Sequence, residues 1–120
     1  FRARVAQLEV DMKALEITQL RVVSAYAKSA DGRPDPLSSV LKIKGTELLQ
    51  ATSELAMDVG GPQAMPVWQQ ELAQLANEPP IGPEWAPQMA PNYLMLRAAS
   101  IYGGTNEIQK NILTKAVLGL

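Results

Sequence analysis

Apolar side chains in this sequence recur every three or four positions and nowhere alternate in twos, and that rhythm restricts the fold more than any other feature. A period near 3.6 buries one face of a helix, whereas a half-buried strand needs a period of two. Val5, Leu8, Met12, Leu15, Val22 and Tyr26 form the first stripe, interrupted at Gln19, with Glu9, Asp11, Lys13, Glu16 and Arg21 between them. The spacing predicts a long helix from about Arg2 to Ala30, closed where Gly32 offers a left-handed cap and Pro34 bars continuation. Asp35-Pro36 restarts a helix, as N-cap and first helical residue. Leu37, Leu41, Leu48, Leu55 and Val59 carry the second stripe, beside the small residues Ala51, Thr52 and Ala56 that allow close packing. Gly60-Gly61-Pro62 ends it. Two long helices joined by a short turn are expected to pack antiparallel.

Seven of the nine prolines then fall between Pro62 and Pro91. They exclude a continuous helix across that stretch, because proline lacks the N–H and clashes with the preceding turn. A short helix is predicted from Trp68 to Asn77, followed by an irregular excursion from Glu78 to Pro91 anchored by Trp85 and Met89. Beyond it, Tyr93, Leu94, Leu96 and Ile101 predict a helix broken at Gly103-Gly104. Ile108, Ile112, Leu113, Ala116, Val117 and Leu120 predict a last one, with Thr105 as N-cap and Gly119 near its end. The expected fold is all-α: a four-helix up-and-down antiparallel bundle over residues 1–120, with a proline-rich excursion at 62–91.

Composition removes several chemistries. The chain has no cysteine and no histidine, so disulfides, thiol nucleophiles, imidazole bases and the common transition-metal sites are out of reach, and no metal site is expected. Lack of cysteine fits a reducing compartment, and a cytoplasmic location is expected. The formal net charge is −1. Arg2, Arg4, Lys42 and Lys44 are interleaved with acids and read as solvated helix faces, so neither nucleic acid nor an anionic membrane is an expected partner. No apolar run approaches the ~18 residues of a membrane span. Phe1, not Met, opens the chain inside a helical pattern, so a piece of a longer protein is expected.

Ile101-Tyr102-Gly103-Gly104-Thr105-Asn106-Glu107-Ile108-Gln109 is the stretch richest in chemical information. Two glycines before a capping threonine bring bare backbone and helix-start amides toward whatever faces them, which favours an anionic or oxygen-rich ligand. Glu107 adds an acceptor suited to hydroxyl or amino groups and would repel a phosphate set directly against it. The same residues equally describe a helix junction with a tidy cap.

The run from Tyr102 to Ile112, with Val117-Leu118-Gly119-Leu120 closing the chain, resembles the terminal signature of acyl-CoA dehydrogenases. Leu96-Arg97 resembles the arginine-bearing helix that precedes that signature, and Asp58-Val59-Gly60-Gly61 resembles the family's Gly-Gly helix end. The order of these features is also the family's, and the likeness covers nearly the whole chain. It implies that Thr105, Asn106 and Glu107 sit at bound FAD near its adenosine-diphosphate portion. It implies too that Gly104 borders an acyl-CoA thioester, and that Gly60 and Gly61 approach FAD across a subunit interface. Acyl-CoA is the implied substrate, and a homodimer or tetramer built through the helical domain is the implied assembly.

The implied reaction is α,β-dehydrogenation, in which a carboxylate takes the α-proton and the flavin accepts hydride. In many members of the family the carboxylate stands at the position of Gly103, which offers none. Glu9, Glu16 and Glu47 read as helix-face residues and Glu78 and Glu84 as part of the excursion, so no catalytic residue is assigned. The base is expected either upstream of Phe1 or nowhere, the latter in a catalytically silent partner subunit. Alone, the polypeptide is expected neither to oxidise acyl-CoA nor to hold FAD tightly. A non-enzymatic oligomerisation module and an acyl-CoA oxidase relative are the other readings.

Overall fold

The structure, a computed structural model, describes residues 1–29, 35–65 and 82–119. Its helices are α1 (Arg2–Lys28), α2 (Leu37–Gly60), α3 (Met89–Leu96) and α4 (Asn106–Leu118), with 3-10 turns at Gly61–Ala64, Ala86–Gln88 and Arg97–Ser100. There is no strand among the described residues. The all-α expectation holds. The chain divides into two compact units, one of Phe1–Leu49 with Ala99–Leu120 and the other of Gln50–Ala98.

In the first unit α1 half-buries Val5, Leu8, Leu15, Thr18 and Val22, every third, fourth or seventh residue along one face. Met12 and Tyr26, expected in that stripe, are mainly exposed. Both share the angular range of the half-buried residues, so their exposure is not a matter of helix face. Leu15 meets α2 at Gly45, its Cδ2 within 3.8 Å of where a Cβ would stand. The α1 helix ends at Lys28, two residues before the expected end. Gly32 and Pro34 lie outside the described residues. Asp35 caps α2 as expected, its Oδ1 accepting the Leu37 amide at 2.8 Å. Ser39, Ile43 and Ala99 are the buried residues here, and small side chains among them leave little apolar mass enclosed.

In the second unit the closing part of α2 buries Ser53 and Leu55, but Val59 is 56% exposed and does not extend the stripe. The chain turns away just beyond it. Gly60 is still right-handed helical, with φ −72° and ψ −26°. Gly61 changes hand at φ +52°, a conformation cheap for glycine and costly for other residues. The turn Ala86–Gln88 packs on Gly61–Ala64 and on α3. Ala64, Ala86, Pro87 and Ala90 are buried, whereas Trp85 remains 45% exposed. The anchors of the proline-rich stretch are thus Ala86 and Pro87 more than the indole.

The helix after the excursion also begins earlier than expected, at Met89, with Pro91 inside it. Pro91 is in the first turn, where a missing N–H forfeits no intrahelical bond. At the other end α3 stops at Leu96 and tightens into Arg97–Ser100 instead of running to Ile101. The predicted helix Trp68–Asn77, and Glu78, lie outside the described residues.

Candidate functional site

The segment between Ser100 and α4 is a turn in which Gly103 and Gly104 both take positive φ, +67° and +90°. A Cβ on Gly103 would meet nothing within 4 Å, so backbone conformation alone calls for glycine there. Gly104 is different. Gln109 folds back from α4, its Nε2 donating to Gly103 O at 3.4 Å and standing 2.7 Å from where a Gly104 Cβ would be.

Thr105 then caps α4 as expected, extended at φ −60° and ψ 156°, with its hydroxyl oxygen accepting the Ile108 amide at 3.2 Å. Its carbonyl accepts the Gln109 amide at 2.9 Å. The Glu107 carboxylate accepts from its own backbone amide and from the Thr105 hydroxyl. Those bonds, then the Lys110 and Lys42 charges, hold its pKa below the usual carboxylate range. The Ile108 amide is thus engaged by the Thr105 side chain, and the Glu107 amide lies toward its own carboxylate. The exposed Glu107 carboxylate adds an acceptor on the outer side of the turn. The turn is not sealed inside its unit, since Gly103, Gly104 and Glu107 are exposed and Thr105 and Asn106 half-buried.

Asn106 is held from α2. Lys42 Nζ donates to Asn106 Oδ1 at 3.0 Å and to Ser100 O at 3.4 Å. Thr46, one helical turn on, lies 3.4 Å from the same Oδ1 while its hydroxyl donates to Ile43 O at 2.9 Å. Lys42 is thus no solvated helix-face residue, as its sequence neighbourhood suggested. The available signal was its register: Ser39 and Thr46, three and four positions away, share its side of the helix, whereas Lys44 pairs outward with Glu47 at 2.8 Å.

In the second unit, Gly60 is buried against its own surroundings. A Cβ there would stand 2.5 Å from Ala64 Cβ and 3.5 Å from Trp85 Cζ3, so packing alone demands glycine. Gly61 has nothing within 4 Å of a Cβ position. Arg97 ties the end of α3 to α2. Its Nε donates to Tyr93 O at 3.2 Å, Nη1 to Glu54 at 3.0 Å, and Nη2 to Gln50 O at 3.1 Å and to Ser53 Oγ at 2.7 Å. The guanidinium also lies 4.3 Å from the Tyr93 ring centroid. Gln50 Nε2 completes the clamp by donating to the carbonyls of Leu96 and Arg97, both at 3.1 Å.

A proton-abstracting base needs a carboxylate whose pKa is raised by an apolar enclosure. Glu107 is shifted the other way. Glu16 pairs with Lys13 at 2.7 Å and Glu47 with Lys44, all exposed, and Glu9 and Glu84 are exposed as well. No group of three or more potential metal ligands occurs among the described residues. Nor is any helix among them long and apolar enough to cross a membrane.

The acyl-CoA dehydrogenase C-terminal domain model matches residues 1–118. Acyl-CoA dehydrogenase IpdE1 of Mycolicibacterium smegmatis is 35% identical over 104 residues, covering 86% of this chain and 23% of that protein. Acyl-CoA dehydrogenase IpdE1 of Mycobacterium tuberculosis is 31% identical over 119 residues, 99% of this chain and 26% of that protein. The chain spans about a quarter of the length of these relatives. No solved structure matches it. With the family's domain model matching from the first helix through the Gly103–Glu107 turn to the end of α4, the chain belongs to the acyl-CoA dehydrogenase family, as its C-terminal helical domain.

Proposed function

We propose that this chain is the FAD-binding and oligomerising domain of an enzyme that introduces an α,β double bond into acyl-CoA thioesters. The single observation behind the reading is the turn from Gly103 to Glu107, which is exposed, shaped by two left-handed glycines, and held in place by side chains from α2. Its donor set suits the adenosine-diphosphate end of FAD. Asn106 supplies N–H donors for phosphate or ring nitrogen, the Thr105 hydroxyl is a further polar contact, and the Glu107 carboxylate accepts from sugar hydroxyls or an amino group. Glu107 also disfavours a phosphate directly against itself, which orients the ligand. Open space over Gly103 leaves room for approach, Gly104 borders the thioester, and Gly60 and Gly61 approach the FAD of a neighbouring subunit.

When bound, FAD accepts the hydride that leaves the β-carbon. This chain's residues hold and orient. Neither Gly103, which has no carboxylate, nor Glu107, which is stabilised in its ionised form, takes the α-proton. The base belongs to another part of the enzyme, or the subunit is a silent partner. Assembly as a homodimer or tetramer is supported by α1 and α4, neither of which buries a residue among those described. Val10, Ile17, Leu20, Ile108 and Val117 are more than half exposed on them. The proposal includes a cytoplasmic setting, since a chain without cysteine asks nothing of an oxidising compartment.

The test is flavin and acyl-CoA titration of the full-length protein. FAD binding with flavin bleaching on addition of an acyl-CoA is expected, and a full-length protein that binds no FAD overturns the reading. For residues 1–120 alone, loss of flavin during gel filtration at micromolar concentration is expected. A second experiment, light scattering of the full-length protein, reads the assembly; a strict monomer removes oligomerisation from the proposal.

A further inference from the structure

We propose that Lys42 is the positioning residue of the Gly103–Glu107 turn, and that it acts by fixing which way the Asn106 amide faces. The inference deepens the flavin reading and rests on it for the identity of the ligand, but its geometric half stands alone. Lys42 Nζ reaches Ser100 O on one side of the turn and Asn106 Oδ1 on the other. One ammonium thus ties together residues six positions apart, bracketing both left-handed glycines. Glycines raise the conformational freedom of the segment they occupy, so a tether across its two ends removes disorder where it is greatest.

The same contact decides chemistry. Lysine has only donors, so the Asn106 side-chain atom 3.0 Å from Nζ must be the carbonyl oxygen and not the amide nitrogen. Thr46 Oγ1 lies against that same oxygen. The Nδ2 group is therefore turned away from α2, and no described residue accepts from it. Lys42 converts an amide that could present either end into one that presents two N–H donors to a ligand. Arginine retains the charge and the reach to two acceptors; methionine keeps the stem and loses both bonds. Asn106→Asp keeps an oxygen for Lys42 and Thr46 but deletes the donors, which separates positioning from ligand contact.

The experiment is amide hydrogen exchange by mass spectrometry on the full-length protein without FAD, followed by FAD titration of the same samples. Exchange over residues 101–109 is expected to quicken at least about tenfold in Lys42→Met, to return toward wild type in Lys42→Arg, and to stay near wild type in Asn106→Asp. Lys44→Met, two residues away and facing outward, is the control and is expected to leave the segment protected. FAD affinity is expected to fall about tenfold or more in both Lys42→Met and Asn106→Asp. If Lys42→Met does not fold, Lys42→Gln against Lys42→Arg carries the same comparison. Unchanged exchange in Lys42→Met, or equal loosening in Lys44→Met, overturns the positioning role. Unchanged FAD affinity in Asn106→Asp, with wild type binding FAD, overturns the donor role. Wild type that binds no FAD defeats the flavin reading, while the exchange result still decides the role of Lys42.

Discussion

The two compact units solve the same problem, anchoring the residues around α3 and α4 to α2, in opposite ways. In the unit Gln50–Ala98 a guanidinium spends its fork inward on Glu54, Ser53 and two backbone carbonyls, while Gln50 donates back to Leu96 and Arg97. In the unit of Phe1–Leu49 and Ala99–Leu120 a single ammonium holds a side-chain oxygen and one carbonyl. The glycines differ in parallel. Gly60 is glycine because Ala64 and Trp85 stand against it, whereas Gly103 is glycine because of its left-handed backbone, with empty space beside it. One unit is closed upon itself, and the other keeps an exposed polar turn. That difference is why the flavin proposal rests on the Gly103–Glu107 turn and not on the clamp around Arg97.

The largest effect is expected at Arg97. Arg97→Met removes charge-assisted bonds to a half-buried cluster and is expected to destabilise the protein by about 2 kcal/mol in urea unfolding, moderated by the partial exposure of Glu54. Arg97→Lys is expected to recover less than half of this, because a point charge cannot reproduce the fork. A silent Arg97→Met would mean that the closed unit is not held by its clamp.

Gly60→Ala comes next. The added Cβ meets Ala64 Cβ at 2.5 Å, and overpacking is expected to cost about 1–2 kcal/mol even though the residue is right-handed helical. Gly103→Ala meets no wall, only the penalty of a positive φ, roughly 1 kcal/mol. The two variants read different causes: thermal shifts are expected to follow that order, and a Gly103→Ala far worse than Gly60→Ala would contradict the steric reading of Gly60.

A smaller effect belongs to Glu107. Its folded-state pKa is depressed by its own amide, by Thr105 and by the Lys110 and Lys42 charges. A depressed carboxylate contributes stability that is fully present above the ordinary unfolded value, near 4.3, and lost as pH falls through the lower folded value. Protection at the start of α4 is thus expected to hold at neutral pH and to fade below about pH 4. Glu107→Gln is expected to flatten that dependence, which a pH series of hydrogen exchange measures. Smallest of all, Lys44→Ala removes an exposed i, i+3 pair and is expected to leave the melting temperature unchanged.

Much of this was legible from local rules. Asp35, Thr105 and Gly119 perform the capping their residue types and positions implied, because a cap depends on a few neighbouring dihedrals and one hydrogen bond. The all-α class followed from periodicity, and the family from the run Tyr102–Ile112. What misled was burial. Met12, Tyr26 and Val59 belong to apolar stripes but are more than half exposed. A stripe states which face can pack, not how far along it a neighbour extends. Pro91 seemed to delay a helix that in fact contains it, since proline is tolerated in a first turn and the start of that turn was set by Ala86 and Pro87 packing beside it.

By itself, then, the order of residues determined helix, turn and cap, for those are settled within about four positions of chain. Only the tertiary structure decided what Lys42 does. Its hydrogen-bond partners lie 58 and 64 residues away, and a long flexible side chain on a helix reads as solvated until the chain returns to meet it. The same holds for Gly60 and Gly103, which are alike as letters and opposite in cause. Hydrogen bonds and steric walls act through space at a few ångströms, and only folding establishes which distant residues come within that reach.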